Sequence, residues 1–150
     1  RLKFRKPYVE GKRDGVSEEW YENEQKKSEG MYAMGQEEGT HIHWWPNGQK
    51  GSVTEYRNGL PHGPSLSWYD NGTMQSQRTF EEGKATGVWI DWYDNGKKKR
   101  EMNIIKGKKH GSCTSWDRSG SITCVEHYDE GKLIRTEATD EGNAEPGVQH

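Results

Sequence analysis

Short runs that alternate β-forming and polar residues, each closed by a glycine-containing turn, fill most of the chain. Val88-Trp89-Ile90-Asp91-Trp92-Tyr93 is one: rich in β-formers, too short for a helix, and followed by Asn95-Gly96. The runs recur. Trp20, Trp44, Trp68, Trp92 and Trp116 are each 24 residues apart, and four other columns hold register with them. Glycine stands five residues before each Trp (Gly15, Gly39, Gly63, Gly87, Gly111) and fifteen after it (Gly35, Gly59, Gly83, Gly107, Gly131). Twelve after it is Tyr32, Tyr56, Phe80, Ile104 or Tyr128, and four after it is Gly48, Gly72, Gly96 or Gly120, with Glu24 in the first copy.

Each unit reads as a β-hairpin. Asn47-Gly48, Asn71-Gly72 and Asn95-Gly96 predict two-residue type I′ turns, and a return strand runs to the aromatic at Trp+12. A loop ending in His-Gly or a similar pair, such as 58–63 or 106–111, then leads into the next unit. The expected fold is all-β: an elongated single-layer antiparallel sheet of tandem hairpins, about a dozen strands at ~4.8 Å spacing and on the order of 55 Å long. Residues 1–135 form one repeat domain, with Tyr8 and Gly11 marking a partial copy before five Trp-centred hairpins. Residues 136–150 read as a frayed, polar, acidic tail.

Composition alone points elsewhere. Leu, Ile, Val and Phe together supply only 18 of 150 residues, which suits a disordered chain better than a core. Seven Trp, seven Tyr and a net charge of only −2 oppose disorder, and stacking of each hairpin on its neighbours explains how so few aliphatics suffice. Length argues against a multidomain enzyme, and no run approaches the ~18 apolar residues of a membrane-spanning helix. No signal peptide is visible, and Arg1 in place of Met points to an upstream segment that has been removed; a soluble, cytoplasmic setting is favoured.

The unit Gly63-…-Trp68-Tyr69-Asp70-Asn71-Gly72-…-Phe80-…-Gly83-Lys84 resembles MORN-type repeats and is similar to the bacterial variant found in YwqK-type antitoxins. The resemblance spans residues 8–135. It implies an elongated antiparallel sheet that binds proteins or, in some members, membrane phospholipid, with no catalytic residues to carry over. Glu24 for a turn glycine, Asp117 for the aromatic after Trp116, and Ile104-Ile105 for a tyrosine depart from the pattern.

Strand alternation sorts the positions. Trp−4, Trp−2 and Trp itself share a face that reads as a packed aromatic ladder. Trp−3, Trp−1 and Trp+1 share the other, and there residue type varies while the frame stays fixed. The variable face is therefore the expected working surface, and its central residues are the candidate partner-binding set: His41, His43, Trp45, Ser65, Ser67, Tyr69, Trp89, Asp91 and Tyr93. Tyr, Trp, Ser and His supply rigid aromatic area with adaptable hydrogen bonding. A non-enzymatic protein-binding module follows, with a toxin-occluding immunity or antitoxin protein as its sharpest form. A binder selected on this scaffold would show the same pattern.

Other chemistry is weaker. His43, Ser67 and Asp91 all occupy Trp−1, but successive hairpins put them roughly 9–10 Å apart, too far for a triad. His41 and His43 lack a third ligand, so no metal is expected, and no cofactor. Gly-Lys recurs in hairpin loops and not at a helix start, so it is no nucleotide loop. His62 and His110 read as turn residues. Counting across the Ser119-Gly120 turn pairs Cys113 with Glu126 and Cys124 with Ser115, so a disulfide needs a shifted register. Charge is blocky: residues 97–118 carry +6 and residues 1–15 carry +4, while 16–40 and 119–150 carry −5 each. Lys97, Lys98, Lys99, Arg100, Lys106, Lys108 and Lys109 could meet phosphate, which keeps a phospholipid-binding module as the alternative; solvated strand-edge lysines are the plainer reading, and nucleic acid is disfavoured.

Overall fold

The computed structural model describes residues 3–137. Twelve strands form one sheet, in which every neighbour from β4 onward is the next strand in sequence. After β1 (Phe4–Arg5), the short pair β2 (Tyr8–Val9) and β3 (Lys12–Arg13) makes a separate two-stranded ribbon. The sheet then runs through β4 (Gly15–Trp20), β5 (Lys26–Ala33), β6 (Gln36–Trp44), β7 (Lys50–Arg57), β8 (Leu60–Trp68) and β9 (Met74–Glu81). It continues through β10 (Lys84–Trp92), β11 (Lys98–Ile105), β12 (Lys108–Trp116), β13 (Ile122–Asp129) and β14 (Lys132–Glu137). The last strand includes 136 and 137, assigned above to the tail; the rest of that tail lies outside the described residues.

The two turn types sit opposite to where Asn-Gly placed them. After Trp44, Gly48 donates its amide to the Trp45 carbonyl (2.9 Å), and only Gly48 of that loop has positive φ (87°). This is a type I turn closed by a left-handed glycine, not a two-residue type I′ turn. Type I′ turns occur at the other end of the unit, where both central residues have positive φ: Asn58-Gly59 (51°, 78°), Glu82-Gly83 (46°, 81°) and Lys106-Gly107 (50°, 79°). Asn47 does other work: its Oδ1 accepts the Gln49 amide (3.0 Å). In the first copy Glu24 itself takes the glycine's conformation, at φ 70°.

The His-Gly pairs are not loops. β8 passes straight through His62-Gly63, and the register slips there, from Thr54↔Ser65 to Tyr56↔Pro61. Gly63 at φ 99° supplies the backbone that this bulge requires. His62 is a turn residue in the neighbouring hairpin, where its Nδ1 accepts the Glu82 amide (3.2 Å).

Three contacts repeat from unit to unit and couple the hairpins. The aromatic at Trp+1 donates to the carbonyl of the next Trp: Tyr21 to Trp44 (2.6 Å), Trp45 to Trp68 (3.0 Å), Tyr69 to Trp92 (2.7 Å) and Tyr93 to Trp116 (2.8 Å). Asparagine at Trp+3 donates to the following loop, as Asn71 does to the Asp94 carbonyl (2.9 Å). The turn glycine at Trp+15 donates its amide backward, as Gly83 does to the Pro61 carbonyl (2.8 Å). These bonds are the physical content of nearest-neighbour coupling in a repeat array. Asp117 holds the Trp+1 place after Trp116 and departs from this pattern: it accepts from the Ser119 amide (2.9 Å) and the Ser121 amide (3.1 Å) of its own turn.

Burial reverses the expected faces. Val16 and Val88 at Trp−4 are 37% and 44% exposed, whereas Ser17 and Cys113 at Trp−3 are 9% and 3% exposed. No two of the five column tryptophans stack among the described residues; the ring pairs are Tyr32–His41, His41–Tyr56, His43–Trp45 and Phe80–Trp89. The cause lies in the Trp+12 column. Tyr32, Tyr56, Phe80, Ile104 and Tyr128 stand opposite Gly15, Gly39, Gly63, Gly87 and Gly111, two positions from Trp−3 and on its face. Apolar mass therefore gathers on the variable side. The small core follows: Met102, Ile104 and Cys113, flanked by Ala85, Trp89 and Tyr128. The column tryptophans sit where the register slips once per unit, as from Ser67↔Ser76 to Trp68↔Met74.

Both thiols are free, and the pairing of Cys113 with Glu126 and of Cys124 with Ser115 is the one the count gave. Burial pushes the Cys113 thiol up from its ordinary value. A thiol reagent at pH 8 is expected to label Cys124 well before Cys113; equal rates would contradict the packing of this hairpin.

A serine-rich seam as the candidate functional site

The Trp−1 residues and their cross-strand partners form one unbroken row. In register across ten strands lie Glu19, Ser28, His43, Ser52, Ser67, Ser76, Asp91, Arg100, Ser115 and Cys124. Half of the row is serine, so it forms a shallow hydroxyl seam between bulkier side chains. Two recesses open on it. The first, about 230 Å³, centres on Ser28, His43 and Ser52 with Tyr32, His41 and Tyr56 around them. The second, about 380 Å³, is lined by Ser67, Ser76 and Asp91 with Tyr69, Arg78 and Lys99.

The seam explains what becomes of each predicted site residue. His41 lies over Gly30, where a Cβ would collide with its Nδ1, and its ring is flanked by Tyr32 (5.2 Å) and Tyr56 (4.8 Å). His43 packs edge-on against Trp45 (5.5 Å) with Tyr21 Oη at 3.4 Å from its Nε2. Ser65 shares a hydroxyl bond with Thr54 (3.0 Å), and Ser67 shares one with Ser76 (2.5 Å). Asp91 accepts from the Arg78 guanidinium (2.9 Å), which also lies over Trp89 (4.8 Å). Trp45, Tyr69 and Tyr93 present ring surface here, but their polar atoms are committed to the next hairpin.

His43, Ser67 and Asp91 do share the row, with Ser52 and Ser76 interposed between them. The Ser67 hydroxyl meets serine, not imidazole, so no nucleophile–base pair forms there. Sequence reasoning missed Ser52, Thr54, Ser76 and Arg78, all on return strands. The cross-strand count that pairs Cys124 with Ser115 would have found Ser76 opposite Ser67.

Burial, and secondarily Lys27, lowers the His43 pKa. A histidine that protonates less readily when folded contributes stability above its unfolded pKa, near 6.5, and loses it as pH falls. Part of the decline in melting temperature between pH 7 and pH 5 is therefore expected to vanish in His43→Gln. An unchanged pH profile would remove His43 as a source of acid sensitivity.

The basic block divides. Lys97, Lys98, Lys99 and Arg100 lie toward the Trp-turn end of β11, and Lys106, Lys108 and Lys109 toward the type I′ end, a strand length of roughly 25 Å away. Several are engaged. Lys97 donates to the Ser119 carbonyl (2.7 Å), Lys98 pairs with Glu101 (2.6 Å), and Lys99 and Lys109 lie over Tyr93 and Tyr128.

Sequential hairpins in one sheet, coupled by bonds that repeat every 24 residues, define a β-hairpin repeat protein. Residues 13–33, 61–82 and 85–106 match the MORN repeat variant, so the chain carries three recognised repeats of that kind. No curated protein matches the chain.

Proposed function

We propose that this is a non-enzymatic scaffold that binds another protein along the serine seam. The observation that carries the reading is the division of labour within each unit. Trp+1, Trp+3 and Trp+15 make the same bond in hairpin after hairpin, while Trp−3 and Trp−1 change from Ser17 and Glu19 to His41 and His43, Ser65 and Ser67, and Trp89 and Asp91. A fixed frame carries a varied row, and that row opens into recesses rather than closing on itself. His41, His43, Trp45, Ser65, Ser67, Tyr69, Trp89, Asp91 and Tyr93 remain the proposed contact set. The similarity to YwqK-type antitoxins supports occlusion of a toxin as the sharpest form of this function. The phospholipid alternative is weakened by the division of the lysines between two ends of the sheet.

Ser65→Arg with Ser67→Arg would fill the seam in its middle and leave the three repeated couplings in place, at the loss of the Ser65–Thr54 and Ser67–Ser76 hydroxyl bonds. This pair is expected to abolish co-purification of a stoichiometric protein from the source cells, a loss of more than about 100-fold, with the variant still folded by circular dichroism. If instead the parent retains no protein but binds anionic vesicles, and Lys97→Gln, Lys98→Gln and Lys99→Gln together abolish that binding, the phospholipid reading replaces this one.

A further inference from the structure

The first recess contains a polar group that the rest of the seam would have satisfied. At Trp−3, the His41 ring bonds the Met31 carbonyl (2.8 Å) and Ser65 bonds Thr54 (3.0 Å). Ser17, in the equivalent position, is 9% exposed, and its Oγ has no hydrogen-bond partner. A buried hydroxyl left unpaired is destabilising. The opposite residue offers nothing, because it is Gly30, where the later units have Thr54, Arg78, Met102 and Glu126. Ser17, Ser28, Gly30, Ser52 and Thr54 thus form a small-residue floor.

The walls decide the ligand's charge. Lys6, Arg13, Glu19 and Glu29 all line the recess. Three of these four charges are paired: Lys6 and Glu19 with each other (2.8 Å), and Glu29 with Lys26 outside the recess (2.6 Å); Lys26 also reaches Glu18 (2.8 Å). Arg13 makes no ion pair among the described residues; its guanidinium lies over the Tyr32 ring at 5.0 Å and is hydrogen-bonded toward the Tyr8 and Tyr32 hydroxyls. A guanidinium that carries no ion pair, lining the same recess as an unpartnered buried hydroxyl, is a donor set for one small oxyanion.

We propose that this recess is an oxyanion subsite, in which Arg13 and the Ser17 hydroxyl receive a single carboxylate. Resting on the protein-binding function above, the carboxylate is a side chain or terminus of the bound protein. The recess, about 230 Å³, has room for such a group.

Acetate and inorganic phosphate are the probes, titrated into the isolated full chain at constant ionic strength and followed by the amide and side-chain NMR signals of Arg13, Ser17 and His41. Acetate is expected to give saturable shifts in the millimolar range. Arg13→Gln should weaken them at least ten-fold and Ser17→Ala about three-fold, with both variants folded by circular dichroism. Shifts that do not saturate, or that survive both substitutions unchanged, overturn the subsite. Tighter binding of phosphate than of acetate overturns the carboxylate assignment. The two readings fail separately: anion binding without a protein partner removes only the scaffold function, and partner binding without anion binding removes only the subsite.

Discussion

Replacing Met34, Glu82, Lys106 and Glu130 together by Asn is expected to raise the melting temperature by roughly 10 °C. Each of these residues occupies the first central position of a type I′ turn, at φ between 46° and 50°. Left-handed backbone costs an ordinary L-residue about 1–2 kcal/mol, and asparagine relieves a good part of it by hydrogen bonding locally. At ~0.5–1 kcal/mol per site, four sites each at least one hairpin spacing (~9–10 Å) from the next should add to about 2–4 kcal/mol. Asn58 already shows the preferred residue in the same slot, at φ 51°. Scanning calorimetry on the single and quadruple variants checks the sum. An unchanged melting temperature would mean that the strain is relieved elsewhere, contrary to the turn geometry.

The opposite experiment severs the array. Tyr69→Phe with Asn71→Ala removes the hydroxyl bond to the Trp92 carbonyl, the amide bond to the Asp94 carbonyl and the Asn71 acceptor for the Thr73 amide. At ~1 kcal/mol per bond the loss is about 3 kcal/mol. Its location matters more than its size. In a one-dimensional array a weak central interface uncouples the halves, so unfolding should broaden or split into two steps. Gln75→Ala, on the exposed bulge beside this interface, is the control and should leave a single sharp transition. A single sharp transition in the double variant would show that the ladder hydrogen bonds alone hold the hairpins together.

The hairpin order, the strand number and the register of the Cys113 hairpin were legible because they rest on columns that repeat in every copy. Turn type was not. Glu82-Gly83 and Lys106-Gly107 take the type I′ geometry without the Asn that signals it, while Asn71-Gly72 carries the signal and uses Asn71 to join hairpins instead. The packed face is hidden in the sequence because it depends on which side of the sheet the Trp+12 ring takes. Its partner is the bulge glycine, and that pairing fixes its side of the sheet. The seam was half visible: Trp−1 residues stand out in the first strand of each unit, but Ser52 and Ser76 come from return strands with few fixed columns. The couplings that restrict Tyr69 and Tyr93 end on main-chain carbonyls 23 residues away, and a carbonyl has no signature in the sequence.

The Trp+1 couplings point one way along the chain. Tyr21, Trp45, Tyr69 and Tyr93 reach toward the hairpin that follows, and Asp117 reaches only into its own turn. As the polypeptide leaves the ribosome, each newly folded hairpin therefore presents an unfilled donor at its growing end, and the next hairpin arrives to fill it. Such a polymer is built by a repeated step, so its length can change by whole units. Each insertion would lengthen the proposed binding row by roughly 9–10 Å.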